Sequence, residues 1–290
     1  MTDLQASLPV AVAPAAPFAG DPDRAVAVAT RGLGRRFGAV DAVADVDLRI
    51  EAGSIVGLLG PNGSGKTTLI RMLSTLLAPT SGHAWVAGFD VRADPGKVRE
   101  QIGLTGQYAA VDQFLSGREN IRMMARMLGM SRADARARAE ELLTSFDLEE
   151  AADRPLSTYS GGMRRRLDLA LSLTGRPSIV FLDEPTTGLD PRSRFAMWKV
   201  IEDLVTAGTT VLLCTQYLEE ADRLAERVVI LDRGRVVAEG SPADLRSQVG
   251  ADVVEFSLPD PTDAARALQA VSGLASVRSS NRRPDSSACP

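Results

Sequence analysis

The residues best suited to chemistry are a glycine-rich segment from Gly60 to Thr68 and an acidic pair, Asp183 and Glu184. The segment reads GPNGSGKTT and meets the spacing G-x-x-x-x-G-K-T of a phosphate-binding loop. The acidic pair ends the apolar run IVFL. A phosphate-binding loop and two carboxylates, one for a cation and one for water, are the parts that hydrolysis of a nucleoside triphosphate needs.

The flanks of the glycine-rich segment favour this interpretation over an ordinary glycine-rich turn. Ile55–Leu59 is a short apolar run typical of a buried strand, and residues 67–77 have the apolar spacing of a helix. In a strand–loop–helix unit, backbone N–H groups and the helix N-terminus turn toward an anion. We therefore predict that the phosphates of ATP bind Gly60, Pro61, Asn62, Gly63, Ser64, Gly65, Lys66, Thr67 and Thr68.

The two carboxylates have separate predicted tasks. Residues 179–182 would deliver them to the C-terminal end of a buried strand, where ligand groups of open α/β sheets collect. Asp183 and the Thr67 hydroxyl are expected on the side of Mg²⁺, Lys66 on the β- and γ-phosphates, and Glu184 as the general base that orients water. Acidic residues also favour helix N-termini, so a plain helix start is the alternative for the pair.

Two further signatures complete an ordered set: YSGGM at residues 159–163 and TGLD at residues 187–190. With them, the chain resembles the nucleotide-binding subunit of ATP-binding-cassette (ABC) transporters over about residues 28–248. The resemblance implies a head-to-tail homodimer that binds two ATP molecules between its subunits. It also implies that the γ-phosphate held by one chain touches the signature of the other, which here is Ser160, Gly161 and Gly162.

Three other positions match the family individually. Gln107 corresponds to the glutamine that senses Mg²⁺ and the attacking water. Phe37 corresponds to the aromatic residue that stacks on adenine, although a lone aromatic beside a glycine more often serves packing. Asp190 corresponds to the loop aspartate that links the two ATP sites across the dimer.

Two departures from the general family pattern are informative. Met163 stands where the signature usually ends in glutamine, and Gln216 follows the predicted strand 209–215 where a switch histidine is usual. Both resemble the daunorubicin-resistance type of drug-efflux ATPase. Gln216 would then donate a neutral hydrogen bond to the γ-phosphate and count among the catalytic residues with Glu184 and Lys66. The alternative is that it caps a helix over residues 217–224.

Composition argues against a polyanion-binding protein. The formal net charge is −4, from 33 basic and 37 acidic residues, so we predict no nucleic-acid partner. Basic residues cluster at Arg164, Arg165 and Arg166, and between Arg118 and Arg138, where alternating acids predict a solvated helical face. Two cysteines, one of them Cys214 in an apolar strand, do not predict a disulfide.

The order of patterns predicts an α/β fold of the P-loop NTPase type. Alternating strands and helices indicate a mostly parallel sheet covered by helices. The resemblance adds an ABC-type ATPase core with an antiparallel β part and an inserted α-helical subdomain. The expected divisions are a flexible N-terminal arm (1–25), the ABC ATPase domain (26–248) with its helical subdomain (about 116–175), a partial, short C-terminal α/β accessory domain (249–278) and a disordered tail (279–290).

These features predict an ATPase subunit that powers drug or antibiotic export, with an anthracycline-like substrate. No apolar run approaches the length that spans a bilayer, and residues 1–23 lack a basic start, so a separate membrane permease must be the partner. The expected location is peripheral, on the cytoplasmic side of the cell membrane. The alternatives are a soluble ABC ATPase of DNA repair or translation, and a nucleotide-dependent binding module with little turnover.

Overall fold

The computed structural model describes residues 25–106 and 112–249, which form two β-sheets and the helices around them. The strands are β1 (Val26–Phe37), β2 (Val40–Glu51), β3 (Ile55–Leu59), β4 (Ser81–Val86), β5 (Phe89–Asp90), β6 (Ile102–Thr105), β7 (Ile179–Asp183), β8 (Thr210–Thr215), β9 (Arg227–Asp232) and β10 (Arg235–Gly240). The helices are α1 (Lys66–Leu73), α2 (Pro95–Gln101), α3 (Gly117–Met127), α4 (Arg132–Ser145), α5 (Gly161–Ser172), α6 (Pro191–Thr206), α7 (Leu218–Leu224) and α8 (Pro242–Val249), with 3-10 turns at Glu149–Ala151 and Leu156–Thr158.

The larger sheet has the order β10-β9-β3-β8-β7-β6, and all neighbours are parallel except the edge pair β10–β9. Strands β3, β7 and β8 lie side by side in its centre, so their C-terminal ends open on one edge. The smaller sheet, β2-β1-β4-β5, is antiparallel. The predicted α/β fold, with a mostly parallel sheet and an antiparallel part, is confirmed.

The central strands are buried on both faces, which explains their nearly continuous apolar sequence. The side chains of β7 belong to two hydrophobic clusters, one on each face of the sheet. Val180 and Leu182 belong to the cluster that includes the helices after α2. Ile179 and Phe181 belong to the cluster that includes α1 and the antiparallel sheet. Because side chains alternate across a strand, this buried strand holds the backbone of its last residue, Asp183, between two packed layers.

The helical segment between β6 and β7 consists of α3, α4 and α5. Ser131 caps α4 by accepting a hydrogen bond from the Asp134 N–H at 3.1 Å. The prediction of a solvated basic face is wrong for Arg138. Its side chain is buried, donates to the carbonyls of Leu173 and Thr174, and pairs with Glu141 at 2.7 Å. The arginine ties α4 to the end of α5 because its long side chain reaches carbonyls that the helix leaves unpaired.

Helix α1 is shorter than its predicted range of 67–77. It ends at Leu73, and Thr75 adopts a left-handed conformation with φ of 65°. The N–H of Leu77 then bonds to the carbonyl of Arg71 at 2.9 Å. Apolar spacing alone could not detect this end, because Leu76 and Leu77 continue the periodic pattern past the turn.

Several predictions fall outside the described residues. They concern Gln107, residues 1–24 of the N-terminal arm, and the C-terminal extension and tail beyond residue 249. Within residues 25–106 and 112–249, no helix has the length and apolarity that crossing a bilayer requires.

Candidate functional site

The glycine-rich segment connects β3 to α1, as predicted, and close packing requires glycine at two of its positions, Gly60 and Gly65. Gly65 precedes α1 with φ of 107°, and a Cβ there would lie 2.5 Å from the Ala42 carbonyl oxygen. A Cβ on Gly60 would collide with the carbonyl of Leu231. The loop therefore passes directly over neighbouring backbone and leads into the N-terminus of α1, where the first N–H groups of a helix lack intrahelical partners.

Lys66 lies inside this loop. Its side chain is buried, and Nζ donates hydrogen bonds to the carbonyls of Gly60 at 2.7 Å and Pro61 at 3.0 Å. The ammonium is thus held by the two residues that begin the phosphate-binding segment. An anion entering the loop would meet this charge together with the helix N-terminus, which is the arrangement that phosphate binding needs.

Asp183 meets the phosphate-binding loop at the end of β7. The Thr67 hydroxyl donates to Asp183 Oδ2 at 2.9 Å, and the other carboxylate oxygen, Oδ1, is buried with no hydrogen-bond partner among the described residues. Burial raises the pKa of Asp183, although the hydrogen bond from Thr67 opposes that shift. A hydroxyl beside a buried carboxylate oxygen without a partner fits the oxygen ligands that a hard divalent cation prefers.

Glu184 continues from Asp183 with an unusual backbone. Its φ is 52°, a left-handed conformation that costs a residue with a side chain about 1–3 kcal/mol. Its N–H donates to the Cys214 carbonyl of β8 at 2.9 Å, and the Thr187 hydroxyl donates to Oε2 at 3.2 Å. The two successive carboxylates therefore have different partners: Asp183 accepts from Thr67, and Glu184 accepts from Thr187. A plain helix start does not explain this arrangement.

Gln216 follows β8, which pairs directly with β7. In this pairing Cys214 of β8 lies opposite Asp183 of β7. Its side chain is exposed at the sheet edge that carries both carboxylates. Tyr217, rather than Gln216, is the residue that precedes α7, and the hydroxyl of Thr215 accepts its N–H at 3.0 Å. The alternative that Gln216 caps this helix is therefore wrong.

The signature residues begin α5. Ser160 is the N-cap, and its hydroxyl accepts the Met163 N–H at 3.2 Å. A Cβ on Gly162 would lie 2.7 Å from Ser193 Oγ, so the start of α5 packs closely on the start of α6. Asp190 caps α6 in turn, accepting from the Ser193 N–H at 3.0 Å and from its hydroxyl at 2.6 Å. These hydrogen bonds lower the pKa of Asp190 and keep it ionised.

Phe37 ends β1 and is 46% exposed. The Arg35 guanidinium lies 4.7 Å from the ring centroid and donates to the Ala78 carbonyl at 2.8 Å. One face of the ring is therefore covered by a cation within the chain. The adenine contact of Phe37 stays a prediction, as does the role of Gln107, which lies outside the described part of the chain.

The sequence interpretation missed Arg165. The three consecutive arginines of α5 read as a basic cluster, but each donates to backbone carbonyls within the chain. Arg164 binds Ser157, and Arg166 binds Phe146. Arg165 binds the carbonyls of Gly106 and of the turn that contains Asp183 and Glu184. Its position five residues after Ser160 was visible, but no local pattern indicates which carbonyls it reaches.

A cavity of about 400 Å³ lies between β6 and helices α3 and α5. Its charged lining residues are Arg99, Glu100 and Asp168, and the remainder is mostly apolar or small. Burial raises the pKa of Asp168 to about 6, and the nearby charge of Arg165 opposes the shift. A carboxylate that is poorly solvated at neutral pH thus faces this cavity.

We expect Asp168→Asn to raise Tm at pH 8 by more than at pH 5. Because the folded pKa of Asp168 exceeds its unfolded value, the folded state binds the proton more tightly, and stability falls as pH rises through the window from about 4 to about 6. Above that window the cost is constant, and asparagine removes it. Scanning calorimetry across pH measures the difference.

The matched control is Asp153→Asn. Asp153 is exposed, and a hydrogen bond from Arg118 lowers its pKa, so its replacement should lower Tm at pH 8 and not raise it. A pH-independent effect of Asp168→Asn would contradict the assignment of a raised pKa to Asp168.

Known proteins resemble this chain in sequence. The family model for ABC transporters matches residues 43–187. The daunorubicin/doxorubicin resistance ATP-binding protein DrrA of Streptomyces peucetius is 52% identical over 258 residues, which cover 88% of this chain and 78% of that protein. The doxorubicin resistance ATP-binding protein of Mycobacterium tuberculosis is 45% identical over 86% of this chain and 76% of its own.

Solved structures resemble it in fold. A dimeric ATP-binding cassette in a post-hydrolysis state, bound to ADP and Pi, has a TM-score of 0.68 at 27% identity, and the match covers 74% of this chain and 98% of that one. The protein cbiO1 from Clostridium perfringens, part of the ABC transporter complex cbiONQ, is similar in fold, with a TM-score of 0.71 at 23% identity over 84% of this chain and 95% of its own.

Proposed function

The chain belongs to the ABC transporter family, and from this premise we propose that it is the subunit that hydrolyses ATP to power drug export through a separate membrane permease. The observation that carries the proposal is the 2.9 Å hydrogen bond from Thr67 to Asp183. It joins the phosphate-binding loop to the strand end that bears Glu184, so nucleotide, cation and base would meet at one edge of the sheet.

Different residues would bind the phosphates and the Mg²⁺ ion. The backbone N–H groups of residues 60–68, other than Pro61, which has none, and the Lys66 ammonium would hold the β- and γ-phosphates. Thr67, Asp183 and Gln107 would hold Mg²⁺, which when bound offsets the charge of the phosphate oxygens. The partnerless oxygen of Asp183 supports this assignment, because a cation there would relieve the cost of its burial.

Hydrolysis then needs an oriented water. The Glu184 carboxylate would accept a proton from water as the water oxygen bonds to the γ-phosphorus. The bond from that phosphorus to the β–γ bridging oxygen breaks, which leaves ADP and inorganic phosphate. Gln216, at the end of the neighbouring strand, would donate a hydrogen bond to the γ-phosphate and so keep the reacting atoms aligned.

A second copy of the chain would complete each site. Ser160, Gly161 and Gly162 would contact the γ-phosphate bound by the partner, because a capped helix start presents N–H donors to an anion. Asp190, which caps α6 beside them, would lie at the same interface. The dimer and the role of each signature residue are parts of this proposal.

The permease would supply the membrane path, and the chain would bind it peripherally at the cytoplasmic side. The relatives named for daunorubicin and doxorubicin resistance support an anthracycline-like substrate. They also favour drug export over the alternative of DNA repair or translation.

Transport can be tested by expressing this chain together with a candidate permease. We expect inverted membrane vesicles that contain both proteins to accumulate doxorubicin when given ATP, but not when given a non-hydrolysable analogue. Hydrolysis of ATP without uptake of any amphipathic drug would favour a non-transport ATPase. Nucleotide binding without hydrolysis would favour a binding module.

The role of Gln216 gives a separate prediction. Gln216→Ala should lower kcat about 2- to 10-fold, the equivalent of one neutral hydrogen bond, with a smaller effect on ATP affinity. Gln216→His should retain activity and add a pH dependence between about pH 6 and 7, where histidine titrates.

Gln101→Ala is the control, because Gln101 ends α2 at the N-terminal end of β6, away from the carboxylates. Steady-state ATPase assays at saturating ATP measure whether Gln216 contributes to turnover. Unchanged turnover in Gln216→Ala would remove Gln216 from the site.

A further inference from the structure

Arg165, on α5, contacts the turn at residues 183–185 that contains Asp183 and Glu184. Its Nε donates to the Pro185 carbonyl at 2.8 Å, and Nη2 donates to the carbonyls of Asp183, at 3.2 Å, and Glu184. Nη1 donates to the carbonyl of Gly106 at 3.2 Å. One guanidinium thus binds three consecutive carbonyls of the turn and a fourth, that of Gly106, which directly follows β6.

The shape of the guanidinium suits this task. It presents five N–H donors in a rigid plane, whereas an ammonium is a single point with three donors. Burial lowers the pKa of Arg165, but a guanidinium remains charged at neutral pH, and hydrogen bonds from a charged donor are stronger than neutral ones. Four carbonyl bonds also satisfy a half-buried cation that would otherwise be costly.

The turn that Arg165 binds is the strained one. Glu184 has φ of 52°, and its N–H is fixed by the Cys214 carbonyl of β8. Arg165 fixes the carbonyl on the other side of the same residue. A strained conformation persists only where its surroundings hold it, and these two contacts hold both peptide groups of Glu184.

We propose that Arg165 is a positioning residue for ATP hydrolysis: it keeps Glu184 in its left-handed conformation and couples this turn to the signature helix of the same chain. The inference rests on the proposed function. Loss of the contacts would let the backbone at Glu184 relax and move the carboxylate away from water. A displacement of about 1 Å can cost about 10²-fold in rate.

The helix gives this coupling a direction. Ser160 begins α5 and would contact the ATP bound by the partner chain. Arg165 lies on the same helix and donates a hydrogen bond to the backbone carbonyl of Glu184, the proposed base, in its own chain. Engagement of α5 by one nucleotide would therefore align the base that acts on the other. The two ATP sites of the dimer would be linked through the backbone of a single turn.

The first experiment compares Arg165→Met and Arg165→Lys with Arg166→Met in the full chain. Arg166 is the matched control, because it follows on the same helix and also binds a carbonyl, that of Phe146, away from the carboxylates. We expect Arg165→Met to lower kcat about 10- to 100-fold while the KM for ATP stays within about 2-fold, since only alignment is lost. Lysine should restore part of the rate, and Arg166→Met should change Tm more than kcat.

A double-mutant cycle with Glu184→Gln adds a readout that a structural role would not move. If Arg165 acts through Glu184, Arg165→Met should add little further loss in the Glu184→Gln background, measured by single-turnover hydrolysis of labelled ATP. Losses that multiply would overturn the proposal. So would an unchanged kcat in folded Arg165→Met.

Two comparisons keep the outcome interpretable. If Arg165→Met does not fold, Arg165→Lys decides alone: wild-type kcat overturns the proposal, and a lowered kcat at unchanged Tm and nucleotide affinity supports it. Failure of the proposed function is recognised separately, because the wild-type chain would then not hydrolyse ATP or Glu184→Gln would not impair it.

Discussion

Replacing Glu184 by glutamine should lower ATP turnover about 10²–10⁴-fold while ATP binding survives. Glutamine keeps the length of the side chain and its hydrogen bond with Thr187, but it cannot accept the proton of the attacking water. The left-handed backbone at this position is retained, because the two residue types have the same steric demands. A dimer with ATP bound should therefore accumulate.

Phosphate release measures the rate, and size-exclusion chromatography with ATP detects the dimer. Asp203→Asn provides the control, since it makes the same change of carboxylate to amide on an exposed pair with Lys199. It should leave turnover unchanged. Near-normal turnover in Glu184→Gln would show that another group is the base.

Replacing Lys66 by alanine should abolish drug resistance in cells that also express the permease. The change removes the charge inside the phosphate-binding loop and the hydrogen bonds that this ammonium donates to the carbonyls of Gly60 and Pro61. Loss of one preorganised charge at the transferred phosphate costs about 10²–10³-fold in rate, and the affinity for ATP should fall as well.

Resistance is measured as the drug concentration that halves growth, at matched protein levels. Lys199→Ala is the control, because Lys199 is an exposed lysine on α6 that pairs only weakly with Asp203. Resistance that persists at the wild-type level in Lys66→Ala would mean that the protein protects cells without hydrolysing ATP.

Much of the site was predictable because its parts are local in sequence. A strand, a loop and a helix in succession specify the position of Lys66 without tertiary information. The same holds for Asp183 and Glu184, which follow an apolar strand, and for Ser160, which caps the helix that it begins. Their types and spacing carry the chemistry, so the sequence identifies them before any fold is known.

The features that sequence reasoning missed depend on tertiary contacts. Arg138 was predicted to lie on a solvated helical face and Arg165 to belong to a basic cluster, but each reaches carbonyls supplied by segments distant in sequence. The end of α1 at Leu73 depends on a single left-handed residue, Thr75, which apolar periodicity does not signal. That Gln216 lies near Asp183 could be expected only from the family resemblance, because the sequences of β7 and β8 do not indicate that the two strands are neighbours in the sheet.

Cys214 has a practical consequence for labelling experiments. Its side chain is fully buried in strand β8 of the larger sheet, and burial raises the pKa of its thiol well above the usual range. Maleimides react with exposed thiolates, so this cysteine should be inert in the folded protein. With Cys289 replaced by serine, a cysteine introduced on the exposed side of α6 could then carry a fluorophore or spin label while Cys214 remains in place. Distances between the subunits of the proposed dimer could be followed during turnover without disturbing β8, whose Cys214 carbonyl accepts the N–H of Glu184.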